Sequence, residues 1–397
     1  MKIPDSISAI VGPIRAIRRD IHAHPELKFE ENRTAEIVTS ALRSFGIDEI
    51  HTGLGKTGVV GILRGRPGSK MLGLRADMDA LPMTELNAFE HKSQYAGKMH
   101  ACGHDGHTAT LLAAAKIMSA DRDFAGSVAF IFQPAEEGGG GARAMIADGL
   151  FDRFPCDAIF AAHNMPGVAA GELVFIEGPA MASSDDVTIT LTGVGGHGAM
   201  PHRAQDPIVA AAAIVMTLQT IVSRNVDPQH TAVITVGSLL AGKANNVIPA
   251  SARLELSVRS LDREVRDLLQ SRITHLVTAQ AQSLGVLAHI DYKRDYPVLV
   301  NTAAETDLAR QVGTELLGAE RVTRQGRPLT GSEDFAFMLE HCPGSYFMIG
   351  NGAGEGTGDS AAAHACMVHN PGYDFNDDIL PVGAAFWALL TQRYLKD

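Results

Sequence analysis

The stretch SSDDVTITLTGVGGHGAMPH, residues 183–202, places apolar side chains at every second position, Val187, Ile189 and Leu191. A period of two belongs to a strand with one face buried and the other in water. It marks a change of character in the chain. Upstream, TGVVGILRG (57–65) and MLGLRADMD (71–79) read as strands. TATLLAAAKIMSA (108–120) reads as a buried helix, GSVAFIFQPAEE (126–137) as a strand running into a loop, and CDAIFAAHN (156–164) as another strand. Residues 5–45 read as helix, with Ile7, Ile10, Ile14, Ile17 and Ile21 near helical spacing. Strands alternating with helices predict an α/β fold with a largely parallel sheet.

Downstream the order differs. A helix is expected at 206–223, and TAVITVGSLLAG (231–242) and SARLELSVRS (251–260) alternate as strands. DREVRDLLQSRITHLVTAQAQSLG (262–285) reads as an amphipathic helix and LAHIDYKRDYP (287–297) as a last strand. Together with 183–192 this gives β-α-β-β-α-β, the ferredoxin-like order. The expectation is a domain at 183–297 inserted in a first domain formed by 1–182 and 298–397.

Bulk properties agree. A chain of 397 residues is long for one core. With 45% apolar and 20% charged residues it has the make-up of a globular protein rather than a disordered one. A net charge of -11 excludes a general nucleic-acid binder, which needs a basic excess to neutralise phosphates. The N-terminal residues show no unbroken apolar segment of a secretory leader. No stretch is expected to span a membrane, since the longest low-polarity run, 210–222, is interrupted by Thr217 and Gln219. The expected compartment is the cytoplasm. The four cysteines, 102, 156, 342 and 366, are then not expected to form a disulfide framework.

Metal-type donors recur at or just past strand ends. They are Asp77 and Asp79 in RADMDALP, Cys102, His104, Asp105 and His107 in MHACGHDGH, Glu136 and Glu137 in QPAEEG, and His163 in AAHNMPG. His369 in VHNPGYDFND is a fifth place. Each has a bland reading alone: Asp77 and Asp79 as turn or capping residues, Cys102 as core, the glutamates as a solvated pair. CGHDGH lacks the paired spacing of a structural zinc knot. Their joint occurrence is what points to a site, because open α/β sheets bind ligands beyond the carboxyl ends of their strands. Mixed S, N and O donors suit Zn, Mn, Ni or Co.

The ordered set RRDIHAHPELKFEE, GLRADMDALPMTE, MHACGHDGHTA, FQPAEEGGGGARAMIADG, HNMPG, GVGGHGAMPH, ANNVIP, TGSEDFAF and HNPGYDFND spans about residues 15–380. It resembles the aminoacylase/hippurate hydrolase branch of the M20 metallopeptidase family. The resemblance implies a zinc-peptidase-like catalytic domain with an inserted ferredoxin-like lid and dimerisation domain. It implies two divalent metal ions per subunit, held by Cys102, His104, Glu137, His163 and His369. It makes Glu136 the general base and His197, on the inserted domain, a group that stabilises the transition state and reaches a neighbouring subunit's site. Asn245 and Arg259 are implied as substrate contacts and Asp77 as a residue orienting a ligand histidine. The implied substrate is an N-acyl amino acid, the implied assembly a homodimer or higher homo-oligomer, and neither nucleic acid nor membrane is a partner.

On this reading Glu136 and Glu137 divide their labour: one holds metal, the other moves the proton from water to the leaving amine. Two other readings stay open. One is a dipeptidase or carboxypeptidase on the same scaffold; the other is a binding protein for N-acyl amino acids that has lost catalysis.

Overall fold

The computed structural model describes residues 5–354 and 359–396. The chain divides into two compact units, one of Met1–Gly178, Val300–Arg327 and Asp334–Asp397, the other of Pro179–Leu299 and Pro328–Glu333.

In the first unit the N-terminal stretch forms two helices, α1 (Asp5–Ala23) and α2 (Asn32–Ser44), where the periodicity predicted one. Pro25 has no N–H to donate and disfavours helical backbone at His24, so α1 stops before it. Glu26 then closes the start of α2. Its carboxylate accepts the backbone N–H of Arg33 at 3.0 Å and of Thr34 at 2.9 Å, two donors that a helix start leaves unpaired. Ile14 and Ile21 are buried and Ile10 and Ile17 half-buried; the side chain of Ile7 lies outside the described residues.

The sheet is built from β1 (Glu49–Leu54), β2 (Gly58–Arg64), β3 (Arg66–Asp77), β4 (Ala125–Gln133) and β5 (Ala158–Pro166). The strand Gly344–Gly352 and the short strands Leu173–Val174 and Val322–Thr323 complete it. Its order is β1-β2-β4-β3-β5, then Gly344–Gly352, Leu173–Val174 and Val322–Thr323. The four central strands are parallel. At the margins β1-β2, β2-β4 and the pairing of Leu173–Val174 with Gly344–Gly352 are antiparallel. The sheet is therefore mixed. Residues 55–57, which join β1 to β2, are too few for the crossover a parallel pair needs.

The helix α3 (His104–Ala120) starts at the histidine itself rather than at Thr108. It packs against α1, β3 and the C-terminal helix Leu380–Tyr394 and is buried almost throughout. Its small residues, Ala113–Ala115 among them, permit that close packing.

The second unit follows the β-α-β-β-α-β order: β6 (Ser183–Thr192), α4 (Pro207–Arg224), β7 (Ala232–Ala241), β8 (Ser251–Ser260), α5 (Arg263–Ser283) and β9 (Leu287–Arg294). Its sheet runs β7-β8-β6-β9, antiparallel throughout. Val187, Ile189 and Leu191 are inward and fully buried, each worth about 1.5–3 kcal/mol of burial. A one-residue slip would put Thr188 and Thr190 in their place, which fixes the register. Asp185 on the same strand is buried too, and accepts Arg266 Nε at 3.0 Å and the Tyr292 hydroxyl at 2.9 Å. Asp206 and Asp262 cap α4 and α5 through the N–H of Ile208 and Val265, each cap worth about 1 kcal/mol.

Here α4 corrects an expectation. By length and composition it is long and apolar enough to cross a membrane. Thr217 and Gln219 do not end its apolar character, because each turns its polar group to a backbone carbonyl one turn back. Ala210, Ala211, Ile214, Leu218 and Ile221 pack into this unit's core, while Val209 and Met216 stay exposed.

Candidate metal centre

Beyond the carboxyl ends of β3, β4 and β5 the first unit gathers Cys102, His104, Glu137, His163 and His369. Donor atoms of Cys102, His104 and His163 lie within 4.8 Å of one another, as do those of Cys102, Glu137 and His369 and those of His104, Glu136 and Glu137. The three overlapping groups make one continuous site containing all five proposed ligands and the proposed base.

Local structure sets each donor. Gly103 has φ 95°, left-handed backbone that favours glycine. A side chain there would also meet Asn164 Nδ2 at 2.2 Å. This turn puts Cys102 and His104 side by side at the start of α3. His104 donates from Nδ1 to the Asp79 carbonyl at 2.9 Å, which leaves Nε2 as the lone-pair nitrogen. That Nε2 is buried without a hydrogen-bond partner among the described residues. His163 likewise gives its Nδ1 proton to the Asn164 carbonyl at 2.6 Å and turns Nε2 toward Cys102 Sγ, 3.3 Å away. His369 takes φ 63°, rare for a side chain of its size, and its N–H bonds the Ala101 carbonyl at 2.7 Å. Its Nε2 lies 3.0 Å from Glu137 Oε1, which is buried and accepts no hydrogen bond among the described residues. Buried lone pairs without donors are costly, so orphaned Nε2 and Oε1 atoms converging with a thiol fit a divalent metal.

Asp79 explains how adjacent glutamates take different tasks. Its Oδ1 accepts the Glu136 N–H at 3.0 Å and its Oδ2 the Glu137 N–H at 2.9 Å. Ala135, at φ 53°, turns the chain into this cradle, and Glu137 leaves the helical region at ψ 74°. The kink separates the two side chains. Asp334 N–H points at Glu136 Oε1 from 3.4 Å.

Asp77 stands beside His104 without bonding it. It lies 3.8 Å from His104 Nε2, and the fixing of His104 falls to Asp79. Asp77 instead accepts His107 Nδ1 at 2.6 Å, and His107 Nε2 accepts the Asn164 N–H at 3.0 Å. His107 thus spends both nitrogens on the protein and anchors the backbone beside His163. Asn164 is further held by the Tyr373 hydroxyl at 2.6 Å and gives Nδ2 to the Cys102 carbonyl at 2.6 Å. Arg75 underlies the set, with Nη1 on Asp77 at 2.7 Å and Nη2 on Asp334 at 3.2 Å. The sequence named none of Asp79, His107, Asn164, Tyr373 or Asp334 for these roles. Their signal was adjacency for His107, Asn164 and Tyr373, each within a few residues of a ligand, while Asp334 stood in the quoted TGSEDFAF and Asp79 in the quoted RADMDALP.

The electrostatics reflect this packing. Without a metal, burial pulls the His104 imidazole down, yet Asp77 and Cys102 outweigh it and raise it well above its usual value, so a metal binding Nε2 would displace a proton there. His163 is driven well below its own by burial and by His107, so it stays a neutral donor. Burial, with Glu137 next, pushes the Cys102 thiol well up. A dication reverses that last effect by deprotonating a coordinating thiol.

In the second unit His197 is exposed on a short strand whose residue partner is Val247. Its Nδ1 accepts the Ala199 N–H at 3.1 Å, leaving Nε2–H as an outward donor. Asn245 is exposed in the adjoining loop. Arg259 is half-buried on β8, giving Nη1 to Ser332 Oγ at 2.8 Å and Nε to Ser257 Oγ at 3.2 Å.

The chain matches the model of peptidase family M20/M25/M40 over residues 73–393. It is 42% identical over 396 residues to the hippurate hydrolase of Campylobacter jejuni, with 100% of both chains covered. It is 38% identical over 348 residues to the N-acetyl-L-cysteine deacetylase of Bacillus subtilis, covering 87% of this chain and 82% of that protein. The YXEP protein of Bacillus subtilis, described as a dinuclear metal-binding peptidase of the M20 family, matches with a TM-score of 0.84 at 31% identity. That match covers 98% of this chain and 99% of that one.

Proposed function

This chain belongs to peptidase family M20/M25/M40, and we propose that it is a metal-dependent amidohydrolase cleaving N-acyl amino acids to a carboxylic acid and a free amino acid. The observation that carries the reading is the overlap of three donor groups that together hold Cys102, His104, Glu137, His163 and His369, with Glu136 in the group it shares with His104 and Glu137. Relatives named for hippurate and N-acetylcysteine share one substrate plan, an amide beside a free α-carboxylate.

Cys102, His104, Glu137, His163 and His369 would hold two divalent ions. When bound, these supply Lewis acidity at the amide carbonyl and lower the pKa of the attacking water. Glu136, oriented by its N–H on Asp79, takes the proton from that water and returns it to the leaving amine. As the resemblance implies, His197 of a second copy would offer Nε2–H to the developing oxyanion; such a donor is worth about a hundredfold to a thousandfold in rate. Arg259 and Asn245 are the groups for the α-carboxylate. The thiol favours Zn, Mn, Ni or Co over Mg.

A homodimer is the proposed assembly. β7 is an edge strand of its sheet with Leu239 and Leu240 exposed, and α4 exposes Val209 and Met216. Such an edge and apolar surface suit a second copy. The cytoplasm is the proposed compartment, in keeping with four free thiols.

The test is a panel of N-acyl amino acids, hippurate and N-acetyl derivatives included, set beside dipeptides. The protein is stripped with chelator and reloaded with Mn, Zn, Co or Ni. Metal-dependent release of amino acid from the acyl compounds is the expected result. Release from dipeptides alone would turn the assignment to a peptidase.

A further inference from the structure

Under the metal centre lies a second cluster of charge that the reaction does not use. Arg18 and His22, one turn apart on α1, are both fully buried. Arg18 reaches three carboxylates: Nη1 to Asp105 at 3.3 Å and Asp374 at 2.9 Å, and Nε to Asp377 at 2.7 Å. His22 places Nδ1 on Asp105 at 2.9 Å and Nε2 on Glu85 at 3.2 Å. With a carboxylate at each nitrogen, both must donate, which only the imidazolium can do.

The partners stand close to ligands in the chain. Asp105 follows His104 directly in the first turn of α3. Asp374 lies five residues past His369, on the loop that carries it. Two elements distant in sequence, each bearing a metal ligand, are thus tied to one helix by a pair of buried cations. Four carboxylates in one dry place repel each other unless cations stand between them.

We infer that Arg18 and His22 form a clamp that holds the His104 turn and the His369 loop at the spacing the metal pair needs. They are positioning residues, since they touch the ligands' neighbours and not the ligands. The inference rests on the ligand set proposed above. The groups facing His22 are Asp105 on α3 and Glu85 and His91 on the loop after β3. Asp374 on the C-terminal loop, Arg18 on its own helix and the ring of His100, 6.2 Å from it, complete its surroundings. His91 lies on Asp374 at 3.2 Å and extends the clamp.

The test titrates Mn2+ into chelator-stripped full-length wild type, His22→Gln, Arg18→Lys and Leu42→Ala, by calorimetry. Leu42→Ala removes core packing on α2 and serves as the control for lost stability. The clamp predicts that His22→Gln and Arg18→Lys weaken Mn2+ binding by about ten- to hundredfold, the usual cost of losing support behind a ligand. It predicts that Leu42→Ala, at equal loss of Tm, binds as wild type does. Equal affinities for His22→Gln and wild type would overturn the clamp alone. A wild type that takes up no Mn2+ would sink the ligand set and the clamp with it.

A second measurement needs no variant. Coupling is reciprocal, so whatever the clamp lends to the metals they return to the clamp. Mn2+ should slow amide hydrogen exchange over residues 16–23 of wild type. Slowing confined to the ligand loops, with 16–23 unchanged, contradicts the inference.

Discussion

Asp79 accepts the backbone N–H of Glu136 at 3.0 Å, and with its other oxygen that of Glu137 at 2.9 Å. One buried carboxylate therefore sets the direction in which both glutamates leave the chain. The same residue receives His104 Nδ1 on its carbonyl. Asp79→Asn puts an amide N–H against one of those N–H donors. Metal affinity should fall by about ten- to hundredfold, and kcat should fall further, because ligand and base are both misdirected. Calorimetric metal titration beside steady-state kinetics checks this. An Asn variant with wild-type values of both would show that the cradle is not needed.

Glu136→Gln separates the two glutamates. The variant keeps the shape and both backbone anchors, so metal content should stay at the wild-type level. Turnover should drop by about a hundredfold to ten-thousandfold, the range for a lost general base. Metal analysis and kcat on the same preparation decide it.

Gly103→Ala tests the turn that joins Cys102 to His104. A Cβ at φ 95° would lie 2.2 Å from Asn164 Nδ2. The expected loss is roughly 2 kcal/mol or more of unfolding free energy in the metal-free protein, read by urea denaturation. An unchanged midpoint would mean that the turn relaxes freely.

His22 gives a pH dependence. Burial lowers it, but Asp105 and Glu85 outweigh burial and raise it from 6.5 to about 9. A raised histidine favours the folded state fully below its unfolded pKa, and that favour is lost as pH climbs through the folded one. Stability of the metal-free protein should therefore fall between pH 6.5 and 9. At about 1.36 kcal/mol per pH unit, this contribution is of the order of 3 kcal/mol. His22→Gln should flatten that slope, and a parallel fall in both proteins would assign it to other groups.

His197→Ala should lose kcat by about a hundredfold or more while keeping Tm and metal content. Its side chain is exposed, and among the described residues its hydrogen bond is the Ala199 N–H on Nδ1, so the fold is not expected to depend on it. A wild-type kcat would remove His197 from the reaction.

The sequence was most legible where one physical rule acted alone. Period two at Val187, Ile189 and Leu191 announced β6, because a strand buried on one face admits no other pattern. The ligand motifs were legible as clusters of donor residues: QPAEEG just past β4, HNMPG at the end of β5 and CGHDGH at the start of α3. The break at Pro25 was overrun by the isoleucine spacing that leads up to it, although proline carries its own stop signal. The mixed sheet was hidden, since pairing direction depends on connections rather than on strand composition. Asp77 and Asp79 could not be told apart in RADMDALP. Which carboxylate holds His104 depends on where β3 ends, and Asp79 lies just past Asp77, its last residue.

The central claim is that Glu136 moves the proton at a metal site built for N-acyl amino acids. The most direct measurement compares wild type and Glu136→Gln, each reloaded to the same metal content, on the best acyl substrate of the panel. Carboxylic acid and amino acid are quantified together. The account predicts equimolar release by wild type that stops on chelation, and release by the variant slower by at least about a hundredfold. Equal rates in the two proteins, or no release by fully loaded wild type from any N-acyl amino acid, would contradict it.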